Sequence, residues 1–150
     1  MTLARIIASG LGSGRAPRAP GTVASLLAVL LGIPLMLAPS GTLALATAVA
    51  SLGGLWAIHA AKVDGDPGWV VIDEIAGQWL ALLGLARPTA LGLLAAFALF
   101  RLFDIAKPGP VGWADRQAGA TGIMADDLIA GALAAFVLWA LRTYWPVLFS

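Results

Sequence analysis

From Ala19 to Ala61 the chain carries no residue with a full charge. A run of that kind confines the fold to a few solutions, because a soluble protein of 150 residues needs polar surface and has little left elsewhere to provide it. Charged residues make up 11% of the chain and apolar residues 60%, where ordinary globular proteins carry about 25% and about half. Mean hydropathy is +0.91. These values predict an integral membrane protein, and the length suits a single domain over residues 1–150.

The turn Ala38-Pro39-Ser40-Gly41 divides the uncharged run, which predicts a first helix at about 22–38 and a second at about 42–60. Further apolar stretches cover Ile75–Ala86, Thr89–Phe103 and Leu128 to about Leu148, with Arg87-Pro88 as the hairpin between the third and fourth. The expectation is an all-α, polytopic bundle of about five helices with its active-site loops on one face. Seventeen helical residues reach about 26 Å, against a hydrocarbon core of about 30 Å. The third and fourth stretches are therefore short, and a thin or partly re-entrant arrangement is compatible with them.

Five crossings put Arg5, Arg15, Arg18, Lys62, Arg101, Lys107 and Arg116 on one side, and Arg87 and Arg142 on the other. By the positive-inside rule the first side is cytoplasmic. All the acids, Asp64, Asp66, Asp73, Glu74, Asp104, Asp115, Asp126 and Asp127, fall on that same side. The expected molecule has one carboxylate-rich face above an otherwise apolar bundle.

Within that face three groups stand out. Asp73-Glu74 and Asp126-Asp127 each precede an apolar run, where acids in a first helical turn suit the macrodipole. Capping explains either pair on its own, although a cap needs one acid and each pair supplies two. Arg101, Asp104 and Lys107 lie along one strip at a helix end before Pro108. They suit a plain salt-bridged terminus or a carboxylate flanked by two cations. Thr22 is an N-cap candidate, and the same helix start offers free N–H groups to a phosphate, with Arg15 and Arg18 nearby. Together the groups supply hard oxygen ligands beside Arg and Lys, which suits Mg²⁺ and a phosphoryl group.

Other chemistries are excluded or unsupported. The chain has no cysteine, so thiolate metal sites and cysteine nucleophiles are ruled out, and His59 is its one histidine. No basic cluster interleaves with aromatics, which leaves no nucleic-acid signal. GLGSG at 10–14 is not a dinucleotide fingerprint, and DGDPG at 64–68 reads as a turn. The N-terminal MTLARIIASGLGSG lacks the long apolar core of a signal peptide. Gly131 and Ala135, four apart, predict close helix packing.

GLGSGRAPRAPGT, VVIDEIAGQW, FRLFDIAKPGPVGWADR and TGIMADDLIAG together resemble the phosphatidylglycerophosphatase A family, in the same order and from about Gly10 to Gly131. The resemblance implies a Mg²⁺-dependent phosphatase that converts phosphatidylglycerophosphate to phosphatidylglycerol in the bacterial inner membrane; with the topology above, the expectation is a multi-pass protein whose active face is cytoplasmic. By resemblance the family's PGT falls on Pro20, Gly21 and Thr22, and its DE on Asp73 and Glu74. Its F-R-x-x-D-x-x-K-P falls on Arg101, Asp104, Lys107 and Pro108, its D-R on Asp115 and Arg116, and its D-D on Asp126 and Asp127. Arg15 and Arg18 occupy positions that the family pattern leaves open.

The resulting expectation is that Asp73, Glu74, Asp104, Asp126 and Asp127 hold one or two Mg²⁺ ions. Arg101, Lys107 and Arg116 would clamp the phosphate of a lipid phosphomonoester, with Thr22 assisting. The nucleophile is a water or an aspartate. Two rivals are an ion- or proton-coupled transporter, which would place its acids at mid-membrane, and a CDP-alcohol phosphatidyltransferase, whose motif is absent.

Overall fold

The computed structural model describes residues 2–148 and is helical, with no strand among them. Its elements are α1 (Leu3–Ala8), a 3₁₀ turn (Gly10–Arg15), α2 (Pro20–Leu37), α3 (Thr42–Ala60), α4 (Ile72–Leu82), α5 (Ala90–Ala106), α6 (Pro110–Asp115), α7 (Gly119–Tyr144) and a final 3₁₀ turn (Pro146–Leu148).

Among the described residues α2, α3 and α7 are long and apolar enough to cross a membrane. Their outer faces carry exposed Leu26, Leu30, Leu45, Val49, Leu52, Phe136 and Trp139, the surface expected against lipid. The five-crossing expectation changes at α4. With 11 residues this helix rises only about 16 Å, and most of it is buried by its neighbours. Three i to i+3 hydrogen bonds, from the N–H groups of Leu83, Gly84 and Leu85, extend it as a tighter coil. Leu82 and Leu85 then pack with Leu43, Ala96 and Leu138, beside Leu35 and Met36 of α2. The α4–α5 hairpin therefore reaches the level of the α2–α3 turn, although α4 is no full span.

Small residues let α4 sit so deep. A methyl on Gly77 would come 2.6 Å from the Asp127 carbonyl oxygen, and one on Gly84 would press into the backbone of Ala135. Gly131 meets the Gly77 backbone in the same way. α4 and α7 thus run side by side at close range, as the Gly131–Ala135 spacing predicts. On its other flank, Trp79 Nε1–H donates to the Ala28 carbonyl at 2.8 Å and ties α4 to α2.

Two helix starts differ from expectation. α7 begins at Gly119, well before Leu128, so Asp126 and Asp127 lie in its third turn, roughly 11 Å along the axis. They cap nothing. α2 begins at Pro20 behind Ala19, whose backbone is left-handed, and Thr22 is its third residue rather than its N-cap.

Candidate active site

One end of the bundle gathers the acids from three helices. Asp73 and Glu74 come from the first turn of α4, Asp104 from the last turn of α5, and Asp126 and Asp127 from inside α7. Carboxylate oxygens of Asp73, Glu74 and Asp127 lie within 4.8 Å of one another, and so do those of Asp104, Asp126 and Asp127. Asp127 is common to both groups, at the centre of all five acids. The structure thus brings together the five acids named as candidate ligands from the sequence.

Burial makes the arrangement costly. Asp73, Asp126 and Asp127 are buried, and Asp73 Oδ1, Glu74 Oε2 and Asp127 Oδ2 have no hydrogen-bond partner among the described residues. Like charges crowded in a low dielectric repel strongly, and an unpaired buried carboxylate oxygen forgoes its hydration. A hard divalent cation removes both penalties. Octahedral Mg²⁺ holds its oxygens about 2.0–2.1 Å away, which sets them roughly 3–4 Å apart, so the observed spacing needs only small side-chain adjustment. The donors present fit that ion.

The cations have distinct settings. Arg101 Nη1 pairs with Asp104 at 2.6 Å and reaches Ser25 Oγ at 3.5 Å. Ser25 Oγ–H in turn donates to the Gly21 carbonyl at 2.8 Å. Arg101 is thereby drawn to the start of α2, where Gly21 lies directly against Glu74. Lys107 Nζ bridges Asp115 and Asp126, each at 2.5 Å. Burial alone would favour loss of the Lys107 proton, but the two carboxylates outweigh it and raise its pKa well above the ordinary lysine value. Lys107 ends α5 with a left-handed backbone, which turns the chain toward α6. Thr22 is half-buried one residue beyond Gly21.

Arg116 is not gathered in. It is exposed at the end of α6, beside Gly112, and forms no ion pair among the described residues. Between α6, α7 and the 63–66 loop lies a cavity of about 330 Å³ lined by Asp64, Asp66, Asp115, Gln117 and Asp126. It gives the acid cluster a polar mouth.

Sequence reasoning missed two site residues. Ser25 and Gln78 are both fully buried, and each follows a motif residue by four positions, Gly21 and Glu74. That spacing puts them on the same helix faces, a signal present in the sequence.

Comparison with known proteins is consistent with this geometry. The family profile of Phosphatidylglycerophosphatase A matches residues 6–142. A protein of Escherichia coli named phosphatidylglycerophosphatase A is 34% identical over 95% of this chain and 85% of its own length. The Haemophilus influenzae protein of that name is 37% identical over 93% and 88%. A putative phosphatidylinositol-3-phosphatase of Bacteroides thetaiotaomicron is 40% identical over 93% and 92%. No solved structure matches the chain at a significant level. With nearly its whole length matched and the motif acids assembled in space, the chain belongs to the phosphatidylglycerophosphatase A family.

Proposed function

We propose that the protein is a Mg²⁺-dependent phosphatase of a lipid phosphomonoester, converting phosphatidylglycerophosphate to phosphatidylglycerol and phosphate. The observation that carries this reading is the convergence of four acids on Asp127, with three buried carboxylate oxygens of the five unpartnered among the described residues. The names of the relatives support the substrate class, since each denotes a phosphatase acting on a phosphorylated lipid headgroup. The basic residues on the site's side support a cytoplasmic active face in the bacterial inner membrane.

Asp73, Glu74, Asp104, Asp126 and Asp127 would hold the metal. When bound, Mg²⁺ supplies Lewis-acid polarisation and neutralises the phosphoryl oxygens. Arg101, oriented by Asp104 and Ser25, donates to those oxygens beside Glu74. The backbone N–H groups of Gly21 and Thr22, free in the first turn of α2, extend the same donor surface. Lys107 holds Asp126 and Asp115 in register and keeps a fixed positive charge at the mouth. A water reaching the phosphorus from the polar cavity is the economical nucleophile, and an in-line attack releases the lipid alcohol. The apolar faces of α2 and α5 leave the acyl chains in the bilayer.

An ion-coupled transporter fits less well, because the acids gather at one end of the bundle rather than at its middle. Phosphate release in detergent from phosphatidylglycerophosphate, with phosphatidic acid as comparison, tests the reading. Release should require Mg²⁺ and stop with EDTA. Equal release in EDTA would refute the metal dependence, and no release from either lipid would refute the activity.

A further inference from the structure

Gln78 is fully buried, and neither atom of its amide has a hydrogen-bond partner among the described residues. Native structures seldom keep a buried amide unpaired without a ligand or water to complete it. Its place on α4 shows which ligand. Four residues beyond Glu74, it is turned about 40° from that residue and lies roughly 6 Å deeper, on the face that looks into the acid cluster.

Contacts on either side fix its height. The neighbouring Trp79 bonds to Ala28, three residues past Ser25, and the preceding Gly77 lies against Phe100 and the Asp127 carbonyl. Gln78 is therefore level with the Ser25–Ala28 segment of α2 and with the Phe100–Arg101 segment of α5. Arg101 Nε is also buried without a partner among the described residues. Arg101, beside the Asp104 carboxylate, and Gln78, one turn deeper than Glu74 on α4, thus each carry an N–H donor without a partner among the described residues.

Unfilled donors call for an acceptor. The metal belongs with the carboxylates above, whereas a phosphoryl group brings several acceptor oxygens and no competing donors. Inorganic phosphate, the product, carries at least one hydroxyl near neutral pH, which suits the Gln78 amide oxygen.

We propose that Gln78 is a phosphate-binding residue, forming with Arg101 the floor on which the phosphoryl group rests. Its Nε2–H donates to a nonbridging oxygen and sets how deep the group sits. The inference rests on the phosphatase reading above and assigns a specific residue within it.

The test compares wild type with Gln78→Met, and with Gln78→Leu should the first fail to fold, in detergent with Mg²⁺. Three quantities are read: KM for phosphatidylglycerophosphate, the inhibition constant of inorganic phosphate, and the thermal midpoint without phosphate. The first two should rise about 10- to 100-fold, the usual cost of losing a contact from a site built to make it. The midpoint should hold or increase, because an apolar side chain of like size removes an unpaired buried amide. KM and phosphate inhibition within twofold of wild type would overturn the proposal and leave Gln78 a tolerated core amide. Failure of both variants to fold would also overturn it, marking a packing role. A wild type that neither releases phosphate nor is inhibited by it would instead remove the phosphatase reading itself, and this inference with it.

Discussion

Gly77 on α4 faces the carbonyl oxygen of Asp127 on α7 so closely that an added methyl would stand 2.6 Å from it and 2.6 Å from the Phe100 ring. The helix crossing and the central acid thus depend on one missing side chain. Gly77→Ala should destabilise the protein by about 1–3 kcal/mol, the usual range for overpacking a tight core. The measurement is chemical or thermal unfolding in detergent, with phosphate release falling in parallel. A variant as stable and active as wild type would show that α4 and α7 do not pack this closely.

Gly21 gives a contrasting case. A methyl there would run into the Glu74 carboxylate and lie 3.4 Å from Arg101 Nη1. Glu74 ends in a flexible side chain, so the fold can yield while the site cannot. Gly21→Ala should cut kcat/KM by about tenfold or more with a thermal midpoint near wild type. Loss of stability in proportion to activity would count against this separation.

Lys107 and Arg116 follow each other within the motif but have different surroundings. Lys107 bridges Asp115 and Asp126, while Arg116 is exposed. Lys107→Met should lower kcat/KM by roughly 10- to 100-fold, since it frees the Asp126 carboxylate that shares the cluster. Arg116→Ala should stay within about threefold, the scale of a surface charge. Steady-state kinetics on the two variants decides, and the reverse order would place Arg116 at the phosphate.

Much of this site could be read from the chain before its fold was known. Asp73, Glu74, Asp104, Asp126 and Asp127 meet as their motifs imply, and α3 spans the expected 42–60. What was hidden follows from the site's own chemistry. GATGIMADD is small and polar, so hydropathy starts the last helix at Leu128, while the residues from Gly119 are already helical and pack two buried acids inward. Apolar periodicity cannot register a helix whose buried face is acidic. α4 is similar: its largely apolar run resembles a span, and its short length, its burial and its glycine contacts with α7 show that it is a core helix.

Ser25 and Gln78 were legible in principle. A polar residue four positions beyond a motif glycine or acid, inside an apolar run, shares that residue's face. Arg116 shows the opposite limit, because membership in a motif does not by itself say where a side chain points.

Chelation should be visible without any substrate. If a cation relieves the crowding around Asp127, adding Mg²⁺ to EDTA-treated protein should raise the thermal midpoint with saturation, as expected for a ligand that binds only the folded state. A midpoint indifferent to Mg²⁺ would argue that the acids tolerate one another unaided.

The most direct measurement is divalent-cation binding to wild type and Asp127→Asn, followed by Mn²⁺ electron paramagnetic resonance in detergent with Mg²⁺ as competitor. Wild type should bind Mn²⁺ in a Mg²⁺-displaceable manner, and Asp127→Asn, folded but inactive, should lose that binding because both acid groups share the residue. Equal binding by the two proteins would contradict a metal centre built around Asp127.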